Sequence, residues 1–282
     1  MNQKLFSAVQ YLVPQHALSR AAGWLANTTV PWIKNPFTQW FVKQFKIDMS
    51  EAAEENPLAY ENFNAFFTRA LKPGSREICE DKNSIVFPAD GAISQLGDIE
   101  YGRIFQAKGQ DYSLTELVGG NAELAQDFVG GSFATVYLSP KDYHRVHMPF
   151  SGKLRTMIHV PGDLFSVNEA TANHVPRLFS RNERVVAIFD TSAGPMAVVL
   201  VGAMIVASIE TVWAGQITPL AKSVREWHYP QTDVELNKGD EMGRFKLGST
   251  AIVLFGPDAA SWSDALSAGS QTRMGEKMGE TS

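Results

Sequence analysis

The chain has a single cysteine, Cys79, among 282 residues. An intramolecular disulfide is therefore excluded, and a reducing compartment is consistent with that usage. It also has no run of about twenty apolar residues, the length that a membrane-spanning helix needs. The longest apolar stretch, Met196 to Ile209, is broken by Gly202 and Ala203. It reads as buried strands with a bend or bulge. Acidic residues are missing from the whole N-terminal segment: through Ile47 the only charges are Lys4, Arg20, Lys34, Lys43 and Lys46. With a formal net charge of -5 overall, the +5 segment leaves -10 on the remainder. That acid excess disfavours nucleic acid as a partner. No internal repeat is evident, and the chain is long enough for one large core or two smaller ones.

The acid-free segment is rich in large apolar side chains. Leu5, Phe6, Val9, Leu12 and Val13 recur at helical spacing, and Trp24, Trp32, Phe37, Trp40, Phe41 and Phe45 follow. Cations interleaved with aromatics suit the interface of an anionic bilayer, with rings at headgroup depth and ammonium groups near phosphates. A helical arm packed on its own core or on a partner subunit is the alternative. Pro14, His16 and Arg20 interrupt the apolar pattern, so the segment reads neither as a secretory signal nor as a membrane span. Residues 1–47 are expected to form a helical arm lying on a membrane surface.

Beyond Asp48 the pattern changes. Glu51, Glu54 and Glu55 precede a stop at Asn56-Pro57, and Tyr60 to Arg69 reads as a short helix with Phe63, Phe66 and Phe67 on one face. From about Val86 onward, short apolar or alternating runs lie between Gly, Pro, Ser and Asp: Phe133 to Leu138, Lys153 to Val160, Arg184 to Phe189 and Ala251 to Phe255. The expected class is α+β, with residues 48–257 as a β-rich catalytic domain. Past Pro257 the chain turns to Ser, Gly, Thr and charge, so 258–282 is expected to be a flexible tail.

The chemistry concentrates around Leu247-Gly248-Ser249-Thr250, just before an apolar strand. Glycine lacks a Cβ, so a hydroxyl can approach its carbonyl closely. A base that removes the Ser249 proton would let Oγ attack the Gly248 carbonyl and exchange the amide for an ester. Elimination and hydrolysis would then leave a pyruvoyl group on a new chain start. Alone, Gly-Ser before a strand is an ordinary turn. A base is available in Tyr143-His144-Arg145-Val146-His147-Met148-Pro149-Phe150, since histidine titrates near neutral pH. Two histidines three apart can also share a metal ion. No Glu follows in the zinc-protease pattern and Cys79 stands alone, so no metal is expected. Asp90, before Gly91, is a turn former or the partner of a histidine. A serine hydrolase built on these groups would need a nucleophile elbow, and Gly130-Gly131-Ser132-Phe133-Ala134 fails that pattern at its last position. A non-catalytic membrane-binding scaffold would leave the Asp, His and Ser set unexplained.

Five stretches, in order, resemble the bacterial phosphatidylserine decarboxylases: Phe87-Pro88-Ala89-Asp90-Gly91, Tyr143 to Pro149, Pro161-Gly162-Asp163-Leu164-Phe165-Ser166-Val167-Asn168, Glu210-Thr211-Val212-Trp213-Ala214-Gly215, and Gly243 to Thr250. The resemblance covers nearly the whole chain. It implies a sandwich-like β core, a homodimer, and a self-cleaving zymogen on the cytoplasmic face of the cell membrane. Cleavage at Gly248-Ser249 would give a large chain 1–248 and a small chain 249–282 capped by pyruvoyl, the covalent cofactor derived from Ser249. By the same resemblance Asp90 orients His147 and His147 activates Ser249. His144 serves decarboxylation, and Ser166 and Asn168 lie in a substrate-contact loop. Phosphatidylserine would form a Schiff base, lose carbon dioxide and leave as phosphatidylethanolamine. The chain lacks the long acidic tail that some relatives carry after the reactive strand.

Overall fold

A computed structural model describes residues 3–204, 208–218, 222–229, 234–246 and 249–282. Three helices open the chain: α1 (Gln3–Gln10), α2 (Gln15–Ala26) and α3 (Pro31–Phe45). Proline begins α3, where its missing N–H needs no partner. A fourth, α4 (Phe63–Phe67), is capped by the Asn62 side chain accepting from the Ala65 N–H. Among the described residues no helix is long and apolar enough to cross a membrane.

The rest is mostly antiparallel sheet, and the class is α+β. The central sheet runs in the order Arg225–His228, Gly152–Val160, Arg184–Thr191, Gly194–Gly202, Ser249–Phe255, Ser132–Leu138, Gly91–Asp98 and Gln271–Thr272, with Glu235–Leu236 as a ninth strand beside Gly152–Val160. Both faces of its middle strands are buried, which explains their unbroken apolar runs. Along Ser249–Phe255, the side chains of Ala251, Val253 and Phe255 enter one core, and Ile252 and Leu254 enter the other. A second sheet, ordered Gly215–Gln216, Ser208–Thr211, Glu241–Lys246 and Arg145–His147, contributes Ile209, Phe245 and Val146 to the first core. That layering is the sandwich. The Met196–Ile209 run divides between the strands Gly194–Gly202 and Ser208–Thr211, with 205–207 outside the described residues.

Two expectations need correction. Residues 258–282 are not a loose tail. Lys277–Thr281 pairs with Ser84–Val86 and with Ala260–Trp262, and Gln271–Thr272 extends the central sheet. Met274 and Met278 are buried, and Met278 and Ala259 join the first core. The polar composition of this stretch hid those anchors, and its strands are held by backbone hydrogen bonds that any residue type can make. The second correction concerns Lys34. Its side chain is buried, and Nζ donates to the carbonyls of Leu58 (2.9 Å) and Tyr60 (2.6 Å). It ties α3 to the segment before α4 and is not a surface cation. Around it Ala26, Phe41, Ile47, Phe63, Phe66 and Phe67 form a third, aromatic core shared by α3 and α4. Lys34→Met leaves both carbonyls without their charged donor and should destabilise the protein by about 2 kcal/mol, read as a lower urea midpoint with an unchanged slope.

Candidate functional site

Ser249 begins the strand at the middle of the central sheet. Its register partners are Leu138 on one side and Gly202 on the other. The residue is 1 % exposed, and its Oγ has no hydrogen-bond partner among the described residues. Thr135, Ser208 and Thr250 also have buried hydroxyls without a partner among the described residues, so this state is compatible with chemistry at Ser249 but does not single it out. Gly248, on the other side of the expected scissile bond, and Leu247 lie outside the described residues.

His144 reaches this region by two routes. The loop Ser139 to His144 leaves the strand that carries Leu138, and the His144 carbonyl accepts from the Phe245 N–H (3.1 Å) near the end of the strand leading to Ser249. The imidazole is fully buried against the Phe67 ring, with 3.9 Å between centroids. Its Nδ1 lies 2.8 Å from the Asp142 carbonyl. A carbonyl only accepts, so Nδ1 carries the proton and Nε2 the lone pair. That Nε2 is buried and has no partner among the described residues. Burial pushes the pKa down from 6.5 to about 3; the Asp142 carbonyl opposes that shift and the Arg69 charge adds to it.

His147 lies on Arg145–His147, whose neighbour is Glu241–Lys246. Its Nδ1 donates to the Gly239 carbonyl at 2.8 Å, and its Nε2 accepts from the Tyr143 hydroxyl at 3.1 Å. Burial lowers its pKa, Arg145 adds to that, and the Gly239 carbonyl and the charges of Glu241 and Asp90 oppose it. Burial also pushes the Tyr143 phenol up to about 12, so Tyr143 is a neutral donor.

Asp90 departs from the expected arrangement. Its Oδ1 accepts from Arg76 Nε (3.0 Å) and from the Met274 N–H (2.9 Å), and its Oδ2 pairs with Arg76 Nη2. Arg76 is also tied to Glu51 at 2.8 Å. In this structure the Gly239 carbonyl, not Asp90, orients His147, and Asp90 contributes only its charge. The two remain neighbours because the His147 N–H donates to the Pro88 carbonyl at 2.8 Å. Gly91 lets its own strand lie close against Ser132–Leu138: a Cβ there would sit 2.1 Å from the Tyr137 carbonyl oxygen. Asp90, Tyr143, Asp142, Arg69 and Arg76 line a pocket of about 170 Å³. Among the described residues no three His, Cys, Asp or Glu side chains are grouped to hold a metal ion.

Ser166 and Asn168 sit on one loop, apart from the histidines. The Asn168 side chain accepts from the Thr171 N–H (3.1 Å) and caps the short helix Glu169–Ala172, so its visible role is local. The neighbouring Val167, with Tyr137 and Ala92, lines a larger cleft of about 380 Å³ that contains none of the four catalytic candidates. Of the four candidates the small, polar pocket is lined by Asp90 alone, so neither cavity gathers the set.

Comparison with known proteins follows this geometry. The family model described as phosphatidylserine decarboxylase matches residues 63–280, and a second, described as PSD, matches residues 5–46. The chain is 61% identical to the phosphatidylserine decarboxylase proenzyme of Pseudomonas fluorescens over 99% of this chain and 98% of that one. It is 61% identical to the namesake proteins of Pseudomonas entomophila, over 99% and 98%, and of Ectopseudomonas mendocina, over 99% and 99%. The chain belongs to the phosphatidylserine decarboxylase family.

Within this family member, sequence reading missed the groups that hold the site in shape: Arg76 and the Met274 N–H on Asp90, and Gly239 and Tyr143 on His147. Tyr143 lay inside a quoted motif and could have been found there. The others are distant in sequence, and two of the four contacts are made by backbone atoms, which carry no residue signature. The depressed pKa of His144 has a measurable consequence. The unfolded imidazole takes up a proton below about pH 6.5, whereas the folded one resists until about pH 3. Its contribution is therefore complete above pH 6.5 and is lost progressively as pH falls towards 3. His144→Gln should shrink the fall in melting temperature between pH 7 and pH 4 relative to wild type, as measured by scanning calorimetry.

Proposed function

We propose that this chain is a pyruvoyl-dependent phosphatidylserine decarboxylase that cleaves itself between Gly248 and Ser249. The observation that carries the reading is the buried Oγ of Ser249, which has no partner among the described residues. It lies in a chain whose full-length relatives are named proenzymes of this activity.

In maturation, His147 Nε2 accepts the Ser249 proton once Tyr143 yields its hydrogen bond, and the negative charge of Asp90 favours the imidazolium. Oγ attacks the Gly248 carbonyl and the C–N bond breaks, giving an ester. Removal of the residue 249 Cα proton then breaks the Oγ–Cβ bond. Gly248 is left as a carboxylate and residue 249 as dehydroalanine, from which water releases ammonia and leaves the keto group. Cleavage need not release the small chain. Ser249–Phe255 is hydrogen-bonded on both sides by strands of the large chain, and Gln271–Thr272 and Lys277–Thr281 pair with it too. A homodimer of that pair is part of the same reading.

When formed, the pyruvoyl ketone supplies an electron sink for loss of the substrate carboxyl as carbon dioxide. The residues supply the rest. His144 Nε2, unpaired and walled by Phe67, is the proton donor at the carbon that loses carbon dioxide. Its imidazolium is strongly disfavoured in the empty site, and an entering carboxylate supplies the counter-charge that lets it form. Ser166 and Asn168 belong to the substrate loop in this reading.

The substrate is a lipid, and the arm suits a peripheral seat on the cytoplasmic face of the membrane. Leu12 is 86% exposed, Trp24 73% and Trp32 78%, and Leu5, Val9 and Trp40 also face outward. The same helices turn Ser7, Gln10, Gln15, Ser19 and Thr38 inward. The outward side chains present an apolar surface for a bilayer, while Phe41 of α3 turns inward to the aromatic core.

Two expectations follow. Ser249→Ala and His147→Ala should remain full-length by intact mass, whereas His144→Ala should cleave and carry the pyruvoyl cap yet lose about 10²-fold or more of carbon dioxide release from phosphatidylserine. Accumulation of uncleaved His144→Ala would sink the division of labour. For the arm, Lys43→Gln with Lys46→Gln should weaken binding to phosphatidylglycerol vesicles about tenfold at low salt and little at high salt. Leu12→Ser with Trp24→Ser and Trp32→Ser should abolish binding at both, by co-sedimentation.

A further inference from the structure

The inward, polar face of the arm is bonded to the loop that precedes Asn168. Gln15 Oε1 accepts from the Leu164 N–H at 2.7 Å, and Gln10 Oε1 accepts from the Ser166 N–H at 2.8 Å. Gln15 Nε2 donates to the Gln10 carbonyl at 2.9 Å, so the two glutamines are locked together across the turn between α1 and α2. Gln10 and Gln15 are both buried. Between the two bonded residues, Phe165 faces the other way. Its N–H donates to Asn182 Oδ1 (3.1 Å), and Asn182 Nδ2 donates to the carbonyls of Phe165 and Gly202, both at 2.8 Å. Gly202 is the register partner of Ser249. A continuous hydrogen-bonded path therefore runs from the arm, through the loop, to the strand beside the reactive residue. The alternation is that of an extended strand, whose successive N–H groups point to opposite sides.

These bonds are not generic packing. A helix that only needed a seat would bury apolar groups, as α3 does with Phe41. Here α1 buries Ser7 and Gln10 and leaves Leu5 and Val9 in solvent. Two backbone donors of the loop, the buried one of Leu164 and the part-buried one of Ser166, have glutamine oxygens as their partners, so losing the arm's position would orphan both. The Tyr11 ring on Phe165, with 4.8 Å between centroids, and the Arg181 guanidinium over both rings close the same junction.

We infer that Gln10 and Gln15 are positioning residues that transmit the seating of the arm on a lipid surface to the Leu164–Ser166 backbone, and thereby set the affinity of the site for its phospholipid substrate. This rests on the reading that the Ser166 loop meets the substrate. Docking of the outward face fixes the helices, and fixed helices hold the two loop N–H groups in one geometry.

The test uses the full chain and its Gln10→Ala/Gln15→Ala, Gln10→Glu and Ser166→Ala variants, with short-chain soluble phosphatidylserine as substrate. The double variant should self-process completely by intact mass and still bind phosphatidylglycerol vesicles. Its KM should rise about tenfold, with kcat within about twofold. Gln10→Glu keeps an acceptor oxygen and should stay within about threefold of wild-type KM. By hydrogen exchange, phosphatidylglycerol vesicles should slow the Leu164 and Ser166 amides in wild type but not in the double variant. An unchanged KM in the double variant alongside a raised KM in Ser166→Ala overturns the inference, as does vesicle protection that persists without the glutamines. An unchanged KM in Ser166→Ala overturns the loop reading itself, and the inference with it. Should the double variant fail to process, Gln10→Ala, which leaves the Gln15 bond in place, carries the same test with an expected rise of about threefold and the same overturning results.

Discussion

The proposed chemistry depends on one constraint: Ser249 starts a strand paired on both sides. Ser249 is held between Leu138 and Gly202 by the ladders of the central sheet, so its position does not depend on the peptide bond that precedes it. A backbone cut there would remove one covalent link and leave the hydrogen bonds and two apolar cores intact. That gives the precursor and the proposed processed enzyme nearly the same scaffold. It also explains why a loop could not serve: a loop serine would move once released, whereas a central strand is held by its neighbours.

Around that serine the electrostatics separate two histidines that lie only three positions apart. His144 is sealed against Phe67 and keeps its lone pair unused, whereas His147 is engaged at both nitrogens by Gly239 and Tyr143. Burial lowers the pKa of both, but carboxylates reach only one of them: Glu241 and Asp90 act on His147, and Arg69 acts on His144. Groups whose surroundings differ in this way are suited to different proton transfers. The Asp90 carboxylate is itself fixed by Arg76 and by the Met274 amide, which ties the C-terminal segment into the site.

The arm reverses the usual amphipathic logic. Along α1 and α2 the large side chains Leu5, Val9 and Trp24 face outward and polar ones face the protein, and Lys34, Gln10 and Gln15 satisfy backbone groups of the rest of the chain. The arm, the Leu164–Ser166 loop and the strand beside Ser249 are thus linked by hydrogen bonds. The aromatic core gives a second connection, from Phe41 through Phe67 to the His144 ring.

Much of this was legible in the residues alone. The middle strands announced themselves as apolar runs because both of their faces are buried, and the arm announced itself by its lack of acid. The tetrapeptide at Ser249, the two histidines and Asp90 stood out because their side chains carry the chemistry. The C-terminal strands did not, since two buried methionines cannot be seen in a stretch averaged with Ser, Gly and Thr. Nor could Lys34 be told from Lys43: the same ammonium is a lipid contact or a buried staple according to which side of α3 faces Tyr60. By itself the sequence determined which groups could react and which segments would be strand or helix, because those depend on side-chain chemistry and local periodicity. Only the tertiary structure decided which partners those groups have. Hydrogen bonds from Gly239, Met274, Leu164 and Ser166 come from backbone atoms common to every residue, and folding alone brings them within reach.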